Sequence, residues 1–396
     1  MSAKIPLIRF NEFAEEWKEV DFSEIFEEVN ERTSDTDNYP LYSLTLEKGV
    51  TPKSERYERS FLLKKDEDNY KIVKNDEFVY NPMNLTLGAV AKYNGKQSIA
   101  VSGYYNVFRT KEGFDSRFIE NMLKTGKMLL QYKAIATGSL IEKQRVHFSQ
   151  FIKIKRPIPN YLEQKKIGDF FSLLDRKIEK QQEKIDQLEL FKKGLLQKIF
   201  SQEIRFKDEN GQDFPEWDSE LFEQVATNNS NKIIPQSKTN VPCIELENIV
   251  GNRGRINGFY LSQEQQSTKN EFAKGSVLFG KLRPYLKKYW YATFDGICSS
   301  EIWVLTSKSP RITNEFLYFI IQSDTFQQAA NISSGSKMPR TEWDSVRSLE
   351  IPLPSLEEQK KIVSFLFTLE EKISKEESKV ESLKQLKNGL LQQMFV

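Results

Sequence analysis

Between Pro157 and Phe200 apolar residues fall at Ile167, Phe171, Leu174, Ile178, Ile185, Leu188, Leu195 and Ile199, with Glu, Lys and Gln filling most places between. Alternating steps of three and four are the seam of a long coiled-coil helix. The same pattern returns between Pro352 and Phe395 at Ile362, Leu366, Leu369, Ile373, Val380, Leu383, Leu390 and Met394. Aligned without gaps, the two stretches share about 20 identities in about 44 positions, so this is an internal duplication. Each copy opens on a proline pair, Pro157 and Pro159 or Pro352 and Pro354, which favours an extended approach to the helix. Gln181 and Glu376 interrupt the seam at corresponding places and are expected to fix its register. Each helix runs to about 60 Å at 1.5 Å per residue. So narrow an apolar stripe needs a partner. Either each helix closes its own domain, or the two pair with each other; matched length and phase favour pairing.

The duplication reaches upstream. "RFNEFAEEWKEVDFSEIF" from Arg9 is echoed by "RFKDENGQDFPEWDSELFEQV" from Arg205, with Trp17 and Phe22 mirrored by Trp217 and Phe222. The chain therefore reads as a globular module and a long helix, written twice. The expected domains are 1–156 and 204–350, each followed by a spacer region, 157–203 and 351–396. Both modules read as mostly β, with short strands in "DEFVYNPM" and "GSVLFGKL" and helices in "DSRFIENMLKTGKMLLQY" and "TNEFLYFIIQSDTFQQAA". The fold class expected is α+β: two mostly-β modules separated by two long antiparallel helices forming a coiled-coil stalk, with an internal pseudo-twofold repeat.

Composition narrows the chemistry. A net charge of +2 from 58 cationic and 56 acidic residues means that only local clustering can speak for nucleic acid. Cys243 and Cys298 are too few for a disulfide framework and indicate a reduced compartment. The single histidine, His147, lies in "RVHFSQF" with no cysteine beside it; a partly exposed strand or loop histidine is expected, not a metal ligand. The start lacks a long apolar stretch and no run of about 18 apolar residues occurs, so a soluble, cytoplasmic chain is expected.

Charge does cluster in "GKLRPYLKKYWY", where Lys281, Arg283, Lys287 and Lys288 interleave with Tyr285, Tyr289, Trp290 and Tyr291. That mixture suits phosphate neutralisation with stacking or groove insertion; equally, it suits an amphipathic strand with aromatics inward and lysines solvated. Lys92, Tyr93, Asn94 and Lys96 surround a weaker candidate turn in the first module, where Asn-Gly also fits a plain hairpin. Small-residue turns near Ser139 and Lys143, and near Ser336 and Lys337, precede Arg145 and Arg340 at one repeat offset. Other motifs fail. "VYNPMN" lacks the aromatic that a base-gripping methyltransferase loop needs and reads as a turn; "GAVAKYNGK" has the wrong spacing for a phosphate loop. No helicase motif or carboxylate–lysine nuclease set is found. The chain is expected to bind rather than catalyse, as a DNA reader or as a coiled-coil adaptor whose modules hold proteins.

Taken together, "PIPNYLEQKKI" and "PLPSLEEQKKI", "GLLQKIF" and "GLLQQMF", the Trp-led module starts, and "GKLRPYLKKYW" with "GICSSEIWVL" resemble the specificity subunit of type I restriction-modification enzymes. The resemblance covers essentially the full chain. It implies two target-recognition domains, each reading half of a bipartite asymmetric double-stranded DNA target, with the paired helices as a ruler for the gap. It also implies two modification (methyltransferase) subunits docked around the helices, and restriction (translocase/nuclease) subunits joined through the methyltransferase core. No cofactor is expected in this chain; S-adenosylmethionine, ATP and Mg would belong to the partners. The chain itself would have no catalytic residues.

Overall fold

The computed structural model describes residues 5–53, 70–138, 144–237, 240–332 and 338–396. It forms two compact units: Met1–Glu183 with Glu377–Val396, and Lys184–Glu376. Both long helices, Tyr161–Phe200 and Leu356–Gln393, are continuous across a unit boundary. Each unit thus contains one module and half of each helix, a grouping that cuts across the segment order read from the sequence.

In the first unit, the opening strand Lys18–Asp21 pairs antiparallel with the closing strand Lys155–Ile158, which carries Pro157. A four-stranded sheet follows in the order Phe26–Val29, Asn106–Thr110, Phe78–Tyr80, Val90–Lys92. Its last two strands form a hairpin. The predicted helical stretch is two helices, Ser116–Leu123 and Gly126–Ile135, parted at Thr125, whose hydroxyl accepts from Met128 N and caps the second. A smaller sheet (Arg32–Thr33, Tyr70–Val73, Ile99–Val101) and the hairpin Tyr42–Thr45/Gly49–Pro52 complete the module.

The second unit repeats this frame. Asp218–Leu221 pairs with Glu350–Leu353, and the four-stranded order is Ala226–Thr227, Ile302–Ser307, Val277–Gly280, Tyr289–Tyr291. The two short helices are Asn314–Ile320 and Asp324–Ala330. A five-stranded sheet, including Pro242–Ile244 and Gly296–Ser299, stands where the first unit has three strands. Buried Cys243 and Cys298 sit on these two adjacent strands, and burial pushes the Cys243 thiol up to about 11. Both are structural thiols.

The long helices run antiparallel within each unit. In the second, Lys184 pairs with Glu376 at 2.9 Å and Lys192 with Glu370; in the first, Asp175 pairs with Lys387 at 2.6 Å. Shifting by the repeat offset, 352 − 157 = 195, exchanges the Asp175–Lys387 pair for the Lys192–Glu370 pair. Ile167, Ile185, Ile362, Leu369, Ile373 and Val380 of the expected seam are buried, while Leu174, Ile178, Leu188 and Leu383 are half-buried. Buried Glu376 finds its counter-charge in Lys184, so the polar break in the seam is satisfied.

Each helix also closes a module, and this explains the repeated "EQKKI". Glu163 is fully buried; Arg9 donates to it through Nε and Nη2, both at 2.7 Å, and Trp17 Nε1 donates at 3.3 Å. Glu358 receives the same three donors from Arg205, at 3.2 and 2.8 Å, and Trp217, at 2.8 Å. Gln164 Oε1 accepts from Asp115 N at 3.0 Å and its amide donates to Pro159 O; Gln359 does the same with Thr313 N and Pro354 O. Asp115 and Thr313 are the N-caps of the first short helices. Ile167 and Phe171 enter one core beside Trp17, Phe118 and Phe395, and Ile362 and Leu366 enter the other beside Phe222, Phe316 and Ile199. No helix among the described residues is long and apolar enough to cross a membrane.

Candidate nucleic-acid interface

In the second unit the connection of the central hairpin runs from Lys281 to Lys288 and contains a one-turn 3-10 helix, Pro284–Leu286. The turn packs on the Asp324–Ala330 helix, with Pro284 buried while Tyr285 is 57% exposed. Two non-glycine residues, Arg283 and Lys287, take left-handed backbone with φ of 54° and 49°. Such conformations cost about 1–3 kcal/mol each and persist where the surroundings enforce them. Here the loop is tied from both sides: Arg283 N donates to Pro339 O at 2.8 Å, Thr341 N to Lys281 O at 2.9 Å, and Asn252 N to Lys287 O at 2.8 Å. The result is a rigid loop presenting Lys281, Arg283, Lys287 and Tyr285. None of the three cations has an ion-pair partner among the described residues.

The remaining candidates of this stretch face inward. Lys288 Nζ donates to Leu246 O, and burial lowers its pKa, opposed by nearby Glu247. Tyr289 and Trp290 are buried in two separate cores. The amphipathic reading of "GKLRPYLKKYWY" therefore holds for its aromatics Tyr289 and Trp290. Strand alternation sends Tyr289 and Trp290 to opposite core faces, and the loop before them keeps the free cations.

The first-module candidates have other surroundings. Lys92 Nζ donates to Asp76 at 2.8 Å and to Ser116 Oγ at 3.1 Å, with its side chain only 6% exposed. Tyr93 is buried; its hydroxyl donates to Gln97 O at 2.8 Å, and burial raises its pKa. Asn94 and Lys96 are exposed on the turn. Arg145 is exposed with its guanidinium 5.7 Å from the Tyr104 ring centre. Arg340 donates twice to Glu301, at 3.0 and 3.3 Å, which raises its pKa. Ser139, Lys143, Ser336 and Lys337 lie outside the described residues.

The Lys92–Lys96 turn and the Lys281–Lys288 loop are not equivalent. Lys92 ends the second hairpin strand, whereas the counterpart of Lys281–Lys288 is the connection Asn81–Ala89. That connection also carries a 3-10 turn, Leu85–Leu87, packed on the second short helix. It too is tied by backbone to the segment before the closing strand, Val146 N donating to Pro82 O at 3.0 Å. "VYNPMN" is thus a turn, and it stands in the position of the cationic loop. Equal strand spacing around the two stretches was the one signal in the sequence that pointed to this match.

Among the described residues no cluster of His, Cys, Asp or Glu is arranged to hold a metal ion. Residues 14–190 and 217–385 match the family described as the type I restriction modification DNA specificity domain, one match per repeat. The EcoDI specificity subunit of Escherichia coli is 30% identical over 43% of this chain, a match spanning 40% of that protein. The MjaVIII specificity subunit of Methanocaldococcus jannaschii is 23% identical over 81% of this chain and 80% of its own length. In fold, the S subunit of a type I restriction-modification system from M. genitalium aligns over 99% of both chains, at 15% identity and a TM-score of 0.58. A chain from work on complex assembly and conformational transition of the type I R-M system aligns over 95% of this chain and 96% of its own, at 18% identity and a TM-score of 0.51. With a family match on each repeat and the same fold over the full length, the chain belongs to the type I restriction modification DNA specificity family.

Proposed function

We propose that this chain is the non-catalytic DNA-specificity subunit of a type I restriction-modification complex. Each module reads one half of a bipartite, asymmetric double-stranded target, and the long helices set the gap between halves. Two methyltransferase subunits, carrying S-adenosylmethionine, modify adenine at the site so chosen; restriction subunits using ATP and Mg join through them. The observation that carries this reading is the contrast within one frame: two units share sheet order, helix locks and termini, yet differ in their hairpin loops. A frame that holds different loops in equivalent places is what reading two different half-sites requires. Helices of about 60 Å are long against the roughly 34 Å repeat of B-DNA, which suits half-sites one to two turns apart.

The test is methylation mapping in cells carrying the chain and its partner subunits. One asymmetric bipartite adenine-methylated sequence is expected, and Arg283→Ala with Lys287→Ala should alter only the second module's half. Absence of any salt-sensitive sequence preference in the assembled complex would overturn the proposal.

A further inference from the structure

Resting on the proposed function, we infer that the first module reads its half-site with the uncharged loop Asn81–Ala89, through Met83, Asn84 and Leu87, leaving most phosphate neutralisation at the readers to the second module. The inference starts from position. The two hairpin connections occupy the same place in the same four-stranded order, each holds a 3-10 turn on the second short helix, and each is tied by backbone to the returning chain. Whatever duplex surface the Lys281–Lys288 loop meets, Asn81–Ala89 meets on the other half-site.

The chemistry of the two loops differs. Asn81 is spent internally, its Oδ1 accepting from Met83 N at 3.0 Å. Leu85 is fully buried and anchors the turn. Gly88, at φ 94°, ends the turn, and a side chain there would crowd Leu129. What remains outward is Met83, Asn84 and Leu87, the last 62% exposed. Met83 and Leu87 thus present apolar side chains to solvent from one short turn held in place by its backbone bonds to Asn81 and Asn84. An Asn amide has the donor and acceptor to bond adenine at N6 and N7, and aliphatic side chains fit the thymine methyl. Leu87 also lines an open groove of about 760 Å³ with Lys48, Asn94 and Lys124. Of the lysines in that groove, Lys92, Lys124 and Lys387 are paired with Asp76, Glu120 and Asp175, and Lys48 stands next to Glu47. The first module therefore offers shape and hydrogen bonds where the second offers charge.

The test uses the full chain with its methyltransferase subunits, acting on a plasmid library of random duplex inserts whose methylated adenines are sequenced, and on fixed-site duplexes at graded salt. Asn84→Ala and Leu87→Ala, both surface changes, should each relax preference at one or two positions of a single half-site by about tenfold or more. The salt slope of binding should stay unchanged. Lys281→Ala, Arg283→Ala and Lys287→Ala should each lower the slope by about 0.9 and relax no position of the half-site read by the first module. If Asn84→Ala and Leu87→Ala leave both half-sites intact while the second-module variants act, the inference is overturned and the proposed function stands. If the unaltered complex shows no sequence preference, both fall.

Discussion

The two units solve one structural problem identically and a second one differently. Where module meets helix, they agree residue for residue: a buried glutamate holds an arginine and a tryptophan, and a glutamine accepts from the N-cap backbone of a short helix. Where the hairpin turns, one unit places Pro-Met-Asn-Leu-Thr-Leu and the other Leu-Arg-Pro-Tyr-Leu-Lys. The loops are tied to the returning chain by backbone bonds, so their outward side chains are free to differ without disturbing the frame. The loop can change while the lock beneath it is kept.

The strongest way to break the comparison is to make both units the same. A chain ended after Gln202 keeps the first module but loses Met394 and Phe395, which lie in that unit's core with Phe395 against Trp17, Phe118 and Phe171. Emptying a buried Phe site costs about 3–5 kcal/mol. Ile199 and Phe200 stand at the repeat positions of Met394 and Phe395, so a second copy can refill the site. The shortened chain should therefore sediment as a dimer and, with partner subunits, direct methylation to a palindromic form of the first half-site. A monomer, or the original asymmetric site unchanged, would sink the equivalence of the two helices.

Next in size are Glu163→Ala and Glu358→Ala. Each strands a guanidinium and an indole N–H around a fully buried position, and breaking such a pair costs about 3–5 kcal/mol. Glu358→Ala should cost less, because Arg205 is 23% exposed against 10% for Arg9 and keeps two carbonyls, of Phe214 and Pro215, where Arg9 keeps that of Glu15. Hydrogen exchange read by mass spectrometry should place each loss in its own unit. A cost below about 1 kcal/mol in either would show that apolar packing, not the carboxylate, is the lock.

These locks mark the limit of what the sequence discloses. The long helices are legible because their periodicity is written over about 40 residues, and the duplication because it is ungapped. The role of Glu163 is not, since its partners lie 154 and 146 residues away at Arg9 and Trp17, and a Glu beside a coiled-coil seam reads as solvated. Strands of two to four residues carry too little alternation to set a sheet order. Charge singled out the Lys281–Lys288 loop, where Lys281, Arg283 and Lys287 have no ion-pair partner among the described residues and Lys288 turns inward. It could not show that Lys92 is paired, because Asp76 comes close to it only through the pairing of the hairpin strands. The uncharged loop at Asn81–Ala89 had no composition to announce it.

The smallest effect separates the two symmetry-related ion pairs on the helices. Lys387→Met breaks a pair whose Asp175 is half exposed, and such surface pairs are worth under about 1 kcal/mol. Lys192→Met breaks more. Its ammonium also meets Gln322 Oε1 at 2.8 Å, and its partner Glu370 accepts the hydroxyl of fully buried Tyr318 at 3.1 Å. Hydrogen bonds to charged groups in such settings contribute about 1.5–3 kcal/mol. Denaturant unfolding should thus rank Lys192→Met above Lys387→Met although the repeat makes the positions equivalent. At 1 M salt, where screening reaches about 3 Å, the Lys387 effect should vanish while most of the Lys192 effect persists. Equal costs at both salts would mean that the helix seam alone sets the energy of these pairs, and that the modules resting on them contribute nothing.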